Sequence, residues 1–209
     1  FMTYILNNVT NCPIKGKTTV KVTSDFGKRK FYNNITKQYE SGYHNGIDII
    51  GGNEIVSFLS GIVTSTRKSV SGYSEKNSTG NYVTITHGNN LYSSYYHLKK
   101  DSVCVKKGDY IEKGTKIGLM GATGHATGKH LHFGIKKNGK WVDPKPYLLK
   151  EVSNNKNNST EIIYVVKKGD NLTKIAARYN TTWQSIYNKN KELIGNNPNL
   201  IKVGWHLKI

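Results

Sequence analysis

From Thr18 to about Tyr147, apolar positions come in short β-branched and aromatic runs cut by glycine turns. Examples are Thr19-Val20-Lys21-Val22-Thr23, Ile47-Asp48-Ile49-Ile50, Gly61-Ile62-Val63-Thr64, Tyr82-Val83-Thr84-Ile85-Thr86 and Leu91 through His97. Turn signals at 88–90, 106–109, 112–115 and 137–140 separate further runs, which predicts an antiparallel sheet or barrel-like all-β unit with no amphipathic helix. Residues 150–161 are polar, Asn-rich and without apolar period, the pattern of a linker that cannot bury enough surface to order itself. After it, Ile162 to Val166 reads as a strand. Leu172, Ile175, Ala176 and Tyr179 then fall at helical spacing, with Asp170 or Asn171 as N-cap. Thr181 and Gln184 have capping-box spacing for a second helix carrying Trp183, Ile186 and Tyr187. Gly195-Asn196-Asn197-Pro198 stops it, and a strand from Trp205 to Ile209 closes a β-α-α-β unit. The expected division is 1–149, a linker at 150–161, and 162–209.

Charge narrows the partners. Thirty-one basic against thirteen acidic residues give +18, spread over both halves: 22 and 9 in residues 1–150, 9 and 4 in 151–209. A field of this sign attracts polyanions such as anionic wall polymers, lipid surfaces or nucleic acid. No nucleic-acid-binding module accompanies it, so nucleic acid is not an expected partner. No apolar stretch is long enough to cross a bilayer, so membrane insertion is not expected either. The first residues, Phe1 to Asn8, lack a basic segment and a long apolar run, so no secretory signal is visible. Cys12 and Cys104 are too few for a disulfide framework, and Cys104, between Val103 and Val105, reads as a buried small hydrophobe.

The candidate chemistry lies in histidines. In Gly124 to Ile135, His130 and His132 share a strand face by period 2. His44 and Asp48 share parity too, so on one strand both would face one side, and His97 ends a further strand. His44, Asp48 and one of His130 and His132 form a donor set that suits zinc, with a fourth position left for water. Zinc lowers the pKa of a bound water to about 7, and the remaining histidines would move protons or stabilise an oxyanion.

These motifs resemble the lysostaphin-type zinc endopeptidases that cut peptidoglycan cross-links. The resemblance rests on His44-x-x-x-Asp48, Tyr95-Tyr96-His97-Leu98 and His130-x-His132, and runs from Ser24-Asp25-Phe26-Gly27 to Asp143-Pro144. It implies a mainly β fold, a twisted antiparallel sheet with a groove on one face. It implies one Zn2+ per chain held by His44, Asp48 and His132, with His97 and His130 as the unliganded catalytic pair. Tyr43, Tyr95 and His125 are the candidate substrate contacts, and the polar stretch from Lys28 to Tyr43 the candidate groove wall. Lys129 stands where a proline commonly precedes the first histidine, which bears on the local turn. His87 is expected to be structural.

The C-terminal unit resembles a LysM module, a small α+β (βααβ) fold that binds N-acetylglucosamine-containing glycan. The matching positions are Gly169, Asp170, Asn171 and Leu172 with Asn199, Leu200 and Ile201. Together the two resemblances imply a zinc endopeptidase acting on peptide bonds of bacterial peptidoglycan and targeted by its LysM module. The order of the halves, with no visible signal, resembles phage endolysins. That implies action from the host cytoplasm on the wall, with a virion tail lysin or a bacterial autolysin as alternatives. A non-catalytic wall-binding protein would have lost ligands, whereas all five positions are present.

Overall fold

In the computed structural model, residues 3–33, 36–149 and 163–209 are described, so the expected linker at 150–161 lies outside the described residues. The first part is built on strands β1 (Tyr4–Leu6), β2 (Val20–Ser24), β3 (Gly27–Asn33), β4 (Gln38–His44), β5 (Ile47–Ile50), β6 (Glu54–Val56) and β7 (Gly61–Arg67). It continues through β8 (Asn81–Thr86), β9 (Leu91–Leu98), β10 (Tyr110–Ile111), β11 (Lys116–Leu119), β12 (Leu131–Lys137) and β13 (Lys140–Val142), and ends in helix α1 (Lys145–Leu149). That short helix corrects the expectation of none. It follows Pro144 and anchors through Leu148, whose carbonyl accepts from the backbone of Thr10 and Asn11.

The main sheet is antiparallel and runs β1-β2-β5-β12-β9-β8-β7-β10, with β13 also paired to β12. Alternation decides its faces. Ile47, Ile49, Val83, Ile85, Leu131, Phe133 and Ile135 point to one side and are fully buried in a common core with Phe58 and Ile117. The opposite face carries Asp48, Tyr92, Ser94, Tyr96, His132 and Lys136 and is the polar one. β12 is the hinge of the design: its first half pairs with β5, its second with β13, and β9 runs along its other edge. In the stretch from Lys28 to Tyr43, β3 and β4 pair antiparallel as a separate two-stranded sheet.

After the undescribed segment come β14 (Ile163–Val165), α2 (Leu172–Tyr179), α3 (Trp183–Lys189), α4 (Lys191–Ile194) and β15 (His206–Lys208), with β14 and β15 antiparallel. Asn171 caps α2, its side chain accepting from Lys174 N. The cap of α3 is Thr182 rather than Thr181, because its extended backbone lets the hydroxyl accept from Ser185 N. The apolar stretch that reads as one second helix is two. Buried Asn190 breaks it, donating from Nδ2 to Ile186 O and Lys208 O while Oδ1 accepts from Lys208 N. Gly195 then ends α4. Ile175, Ile186 and Leu207 form a separate small core. Among the described residues no helix is long and apolar enough to cross a membrane. Cys104 is exposed, not buried: it lies in the loop between β9 and β10, its Sγ donating to Lys116 O at 3.4 Å.

Candidate metal centre and active site

His44 and Asp48 do not share one strand. β4 ends at His44, the chain turns at Asn45-Gly46, and Asp48 lies in β5. The turn brings the two together more closely than one strand would: His44 Nε2 is 3.1 Å from Asp48 Oδ1. A side chain at Gly46 is impossible, because a Cβ there would meet Phe133 O at 2.5 Å and His132 Nε2 at 2.7 Å. Asp48 and His132 are cross-strand partners, which sets His132 Nδ1 3.2 Å from the same Oδ1. His44 Nε2 and His132 Nδ1 are 2.9 Å apart.

The donor chemistry fits a cation. His44 Nδ1 lies 2.7 Å from the carbonyl of Asp25, which can only accept, so Nδ1 carries the proton and Nε2 is bare. Nε2 therefore meets a carboxylate oxygen and a second imidazole nitrogen, a convergence of lone pairs that a positive ion satisfies. Donors around a tetrahedral zinc sit about 3.3 Å from one another, so this triangle needs to open by only a few tenths of an ångström. His44 and His132 are buried. Burial opposes the charge on Asp48, but the His132 and His44 rings beside it outweigh that and hold the carboxyl far below the usual carboxylate range. Burial drives His132 down, partly offset by Asp48.

Two further imidazoles face this triangle. His97 has a φ of +63°, a left-handed conformation rare for a residue with a side chain. Pairing between β8 and β9 shifts register between Asn81 and Val83, so His97 sits in a bulge, the device that re-aims a side chain beside many active sites. Its Nδ1 is 2.8 Å from Thr123 O, which leaves Nε2 bare. Burial, then the neighbouring His130, pushes its pKa down to about 4. His130 precedes β12, bridged to Gly121, and its Nδ1 is 2.8 Å from Gly128 O. Its Nε2 lies 3.7 Å from Asp48 Oδ1, and the His97 and His130 rings are 4.8 Å apart. The turn closes without a proline, as Lys129 reaches out to Asn53 Oδ1 at 2.9 Å.

The remaining expected contacts divide. Tyr95 is not a substrate contact: it is fully buried, its hydroxyl accepting from Phe58 N at 3.0 Å and from Ser93 Oγ. Regular pairing of β9 with β12 puts Tyr96, opposite His132, on the site face, where its ring stacks on His132 at 5.2 Å and 6°. Tyr43 is exposed on β4 against the edge of Phe26, and His125 is exposed against Tyr73. Arg29 on β3 was not among the expected residues. Its Nη1 donates to Ser24 Oγ at 2.7 Å and lies 3.6 Å from Asp48 Oδ2. No motif marks it, since its role depends on how the hairpin folds back.

In the C-terminal unit, Asp170 uses its carboxylate internally, accepting from Tyr164 Oη and Lys167 N and pairing with Arg178. Asn171 spends its side chain on the helix cap, Leu172 is buried in the core and Ile201 packs against it. Gly169, Asn199 and Leu200 are exposed.

Residues 42–144 match Peptidase family M23, and residues 164–209 match the LysM domain. The chain thus carries an M23-like domain followed by a LysM-like domain. Among similar proteins is an uncharacterized metalloprotease of Buchnera aphidicola, 35% identical over 66% of this chain and 34% of that protein. Another is the peptidoglycan DD-endopeptidase ShyA of Vibrio cholerae, 35% identical over 59% of this chain and 26% of its own length. The chain thus spans about a third or less of these curated relatives. The solved antimicrobial peptidase lysostaphin of Staphylococcus simulans aligns with a TM-score of 0.50 over 78% of this chain and 65% of that one. At 24% identity this likeness bears on the fold alone. All five histidine and aspartate positions of the site lie within the M23 match, whereas Ser24 and Arg29 lie before it.

Proposed function

We propose that the chain is a zinc-dependent peptidase that hydrolyses amide bonds in the peptide part of bacterial peptidoglycan. The observation that carries this reading is the meeting of His44 Nε2, Asp48 Oδ1 and His132 Nδ1 within 3.2 Å beside two imidazoles with bare Nε2 atoms. His44, Asp48 and His132 would hold the zinc, which supplies Lewis acidity toward a carbonyl and a water made acidic enough to attack near neutral pH. His97 and His130 move protons: a bare Nε2 accepts one from the attacking water. Once protonated, the same nitrogen donates to the tetrahedral oxygen or the leaving amine. Carbonyl acceptors at Thr123 and Gly128 fix both rings in the tautomer this needs.

The LysM domain holds the enzyme on glycan containing N-acetylglucosamine, through the exposed loops around Gly169 and Asn199-Leu200. The +18 charge adds attraction to anionic wall polymers. Tethering turns a weak active-site encounter into a local search at high effective concentration. A catalytic half ahead of a wall-binding half suits a lysin of phage origin that reaches the wall at host lysis. The test is turbidity loss of purified cell walls with zinc-loaded and chelator-stripped protein. Equal clearing by both rules out the zinc reading.

A further inference from the structure

On the polar face of the sheet, beside the metal centre, lies a cleft of about 730 Å³ lined among others by Thr84, Tyr92, Ser94, Tyr96, Lys136 and Trp141. Tyr96 belongs to both, because its ring is the one stacked on His132. Register explains the layout. Lys136 lies opposite Tyr92 across β12 and β9, Ser94 opposite Thr84 across β9 and β8, and Gly134 separates His132 from Lys136. Gly134 is what lets Trp141 lie over the sheet, since a Cβ there would meet Trp141 Cζ3 at 2.9 Å.

The charge of the cleft has one sign. Lys136 Nζ is held 5.8 Å from the centre of the Trp141 ring, and no acidic residue lines the cleft. A half-buried ammonium on an aromatic floor, beside hydroxyls and two tyrosines, suits an anion carried on a mainly apolar chain. Four residues of strand separate His132 from Lys136, about 13 Å. Extended peptide covers that distance in about four residues.

Building on the peptidase reading, we propose that this cleft binds an arm of the peptide substrate bearing a free carboxylate three or four residues from the scissile amide. Lys136 is its counter-ion, and Tyr92, Tyr96 and Trp141 pack its small side chains. Amidation of that carboxylate removes the charge and weakens binding, so the cleft reads the amidation state of the wall.

The probe is the tetrapeptide L-Ala-γ-D-Glu-L-Lys-D-Ala with free carboxylates, against its fully amidated form, titrated into the full-length zinc-loaded protein by calorimetry. The acid is expected to bind on the order of tenfold tighter than the amide. Lys136→Met abolishes the preference, Lys136→Arg keeps it, and thermal unfolding shows that both variants are folded. With a cleavable wall fragment, Lys136→Met raises KM and leaves kcat near wild type. Equal binding of acid and amide by the wild type, no binding of the acid, or an undiminished preference in Lys136→Met overturns the proposal. Acid preference without any cleavage would instead sink the peptidase reading and leave the cleft standing.

Discussion

The guanidinium of Arg29 and the carboxylate of Asp48 face each other at the rim of the site, Nη1 3.6 Å from Oδ2. Oδ1 is the oxygen that meets His44 and His132. Arg29 therefore occupies one side of the carboxylate and turns the other toward the donors, while Ser24 Oγ fixes the guanidinium. Partners of this kind set ligand orientation, and losing one typically lowers metal affinity about 10–100-fold. Arg29→Met should weaken zinc binding by a factor in that range, measured by competition with a chromophoric chelator. An unchanged zinc Kd would show that the contact is incidental.

Within the triangle, loss of a ligand is a larger event. His44→Ala or His132→Ala leaves two donors, too few for a structured zinc site, and should abolish both bound zinc and wall lysis. Metal analysis of the purified variants decides this. One equivalent of zinc retained by either would mean that the ion sits elsewhere.

His97→Ala and His130→Ala should separate binding from chemistry. Either variant keeps the three donors His44, Asp48 and His132, so zinc should stay bound while turnover falls about 10²–10⁴-fold, the usual worth of a positioned acid–base group. Zinc loss in His130→Ala would exchange the roles of His130 and His132.

Which of these residues a reader of the chain could find follows from the physics that places them. Period 2 put His130 and His132 on one face, and both rings reach the site, His132 from β12 and His130 from the bridge just before it. Period 2 was not what named Tyr95, which faces the core beside Phe133 while Tyr96, paired with His132, faces the site. The same parity joined His44 to Asp48 in one strand where Gly46 makes a turn, a glycine whose steric need arises from Phe133 and His132, far away in sequence. Arg29 was invisible for the same reason: its partner is nineteen positions on, reached only when the hairpin closes. In the smaller unit, the cap at Asn171 followed local rules and that of α3 fell one residue past the expected Thr181, whereas the break at Asn190 depends on hydrogen bonds to β15.

His87 gives a stability prediction free of the metal. Its Nδ1 is 2.9 Å from Ser60 O, its Nε2 2.7 Å from Ser93 Oγ, and its ring stands edge-on to Phe58. Burial pushes its pKa down to about 4, against an ordinary 6.5. The unfolded chain therefore binds a proton that the folded one refuses between these values. The sign follows: stability is full above about pH 6.5 and declines as pH falls toward 4, by roughly 2 kcal/mol from this group after allowance for partial exposure. Chemical denaturation midpoints measured in chelator across pH 4–7 should show this slope, reduced by one proton in His87→Gln. An identical slope in the variant would remove His87 from the account.

Targeting and catalysis should come apart when the C-terminal unit is removed. The buried residues form two separate clusters, one around Phe58, Phe133 and Ile117 and one around Ile175, Ile186 and Leu207. Every member of the histidine site lies on the strands and turns of the sheet that this first cluster supports. A chain ending at Leu149 keeps α1, whose Leu148 carbonyl is bonded to Thr10 and Asn11, so the truncation cuts after the last element of the first cluster. Among the described residues a hydrogen bond crosses between the units, Thr86 Oγ1 to Asn180 Oδ1 at 2.9 Å, and Thr86 regains water as its partner when Asn180 is lost. The truncated protein should cleave a soluble peptide at a rate within a few-fold of the full chain. Its retention on purified walls should fall about 10²–10⁴-fold, the gain that linking a second binding module supplies. Pull-down on walls beside a soluble-peptide assay reads the two quantities separately, and equal loss of both would mean that the second unit supports the active site itself rather than the encounter with the wall.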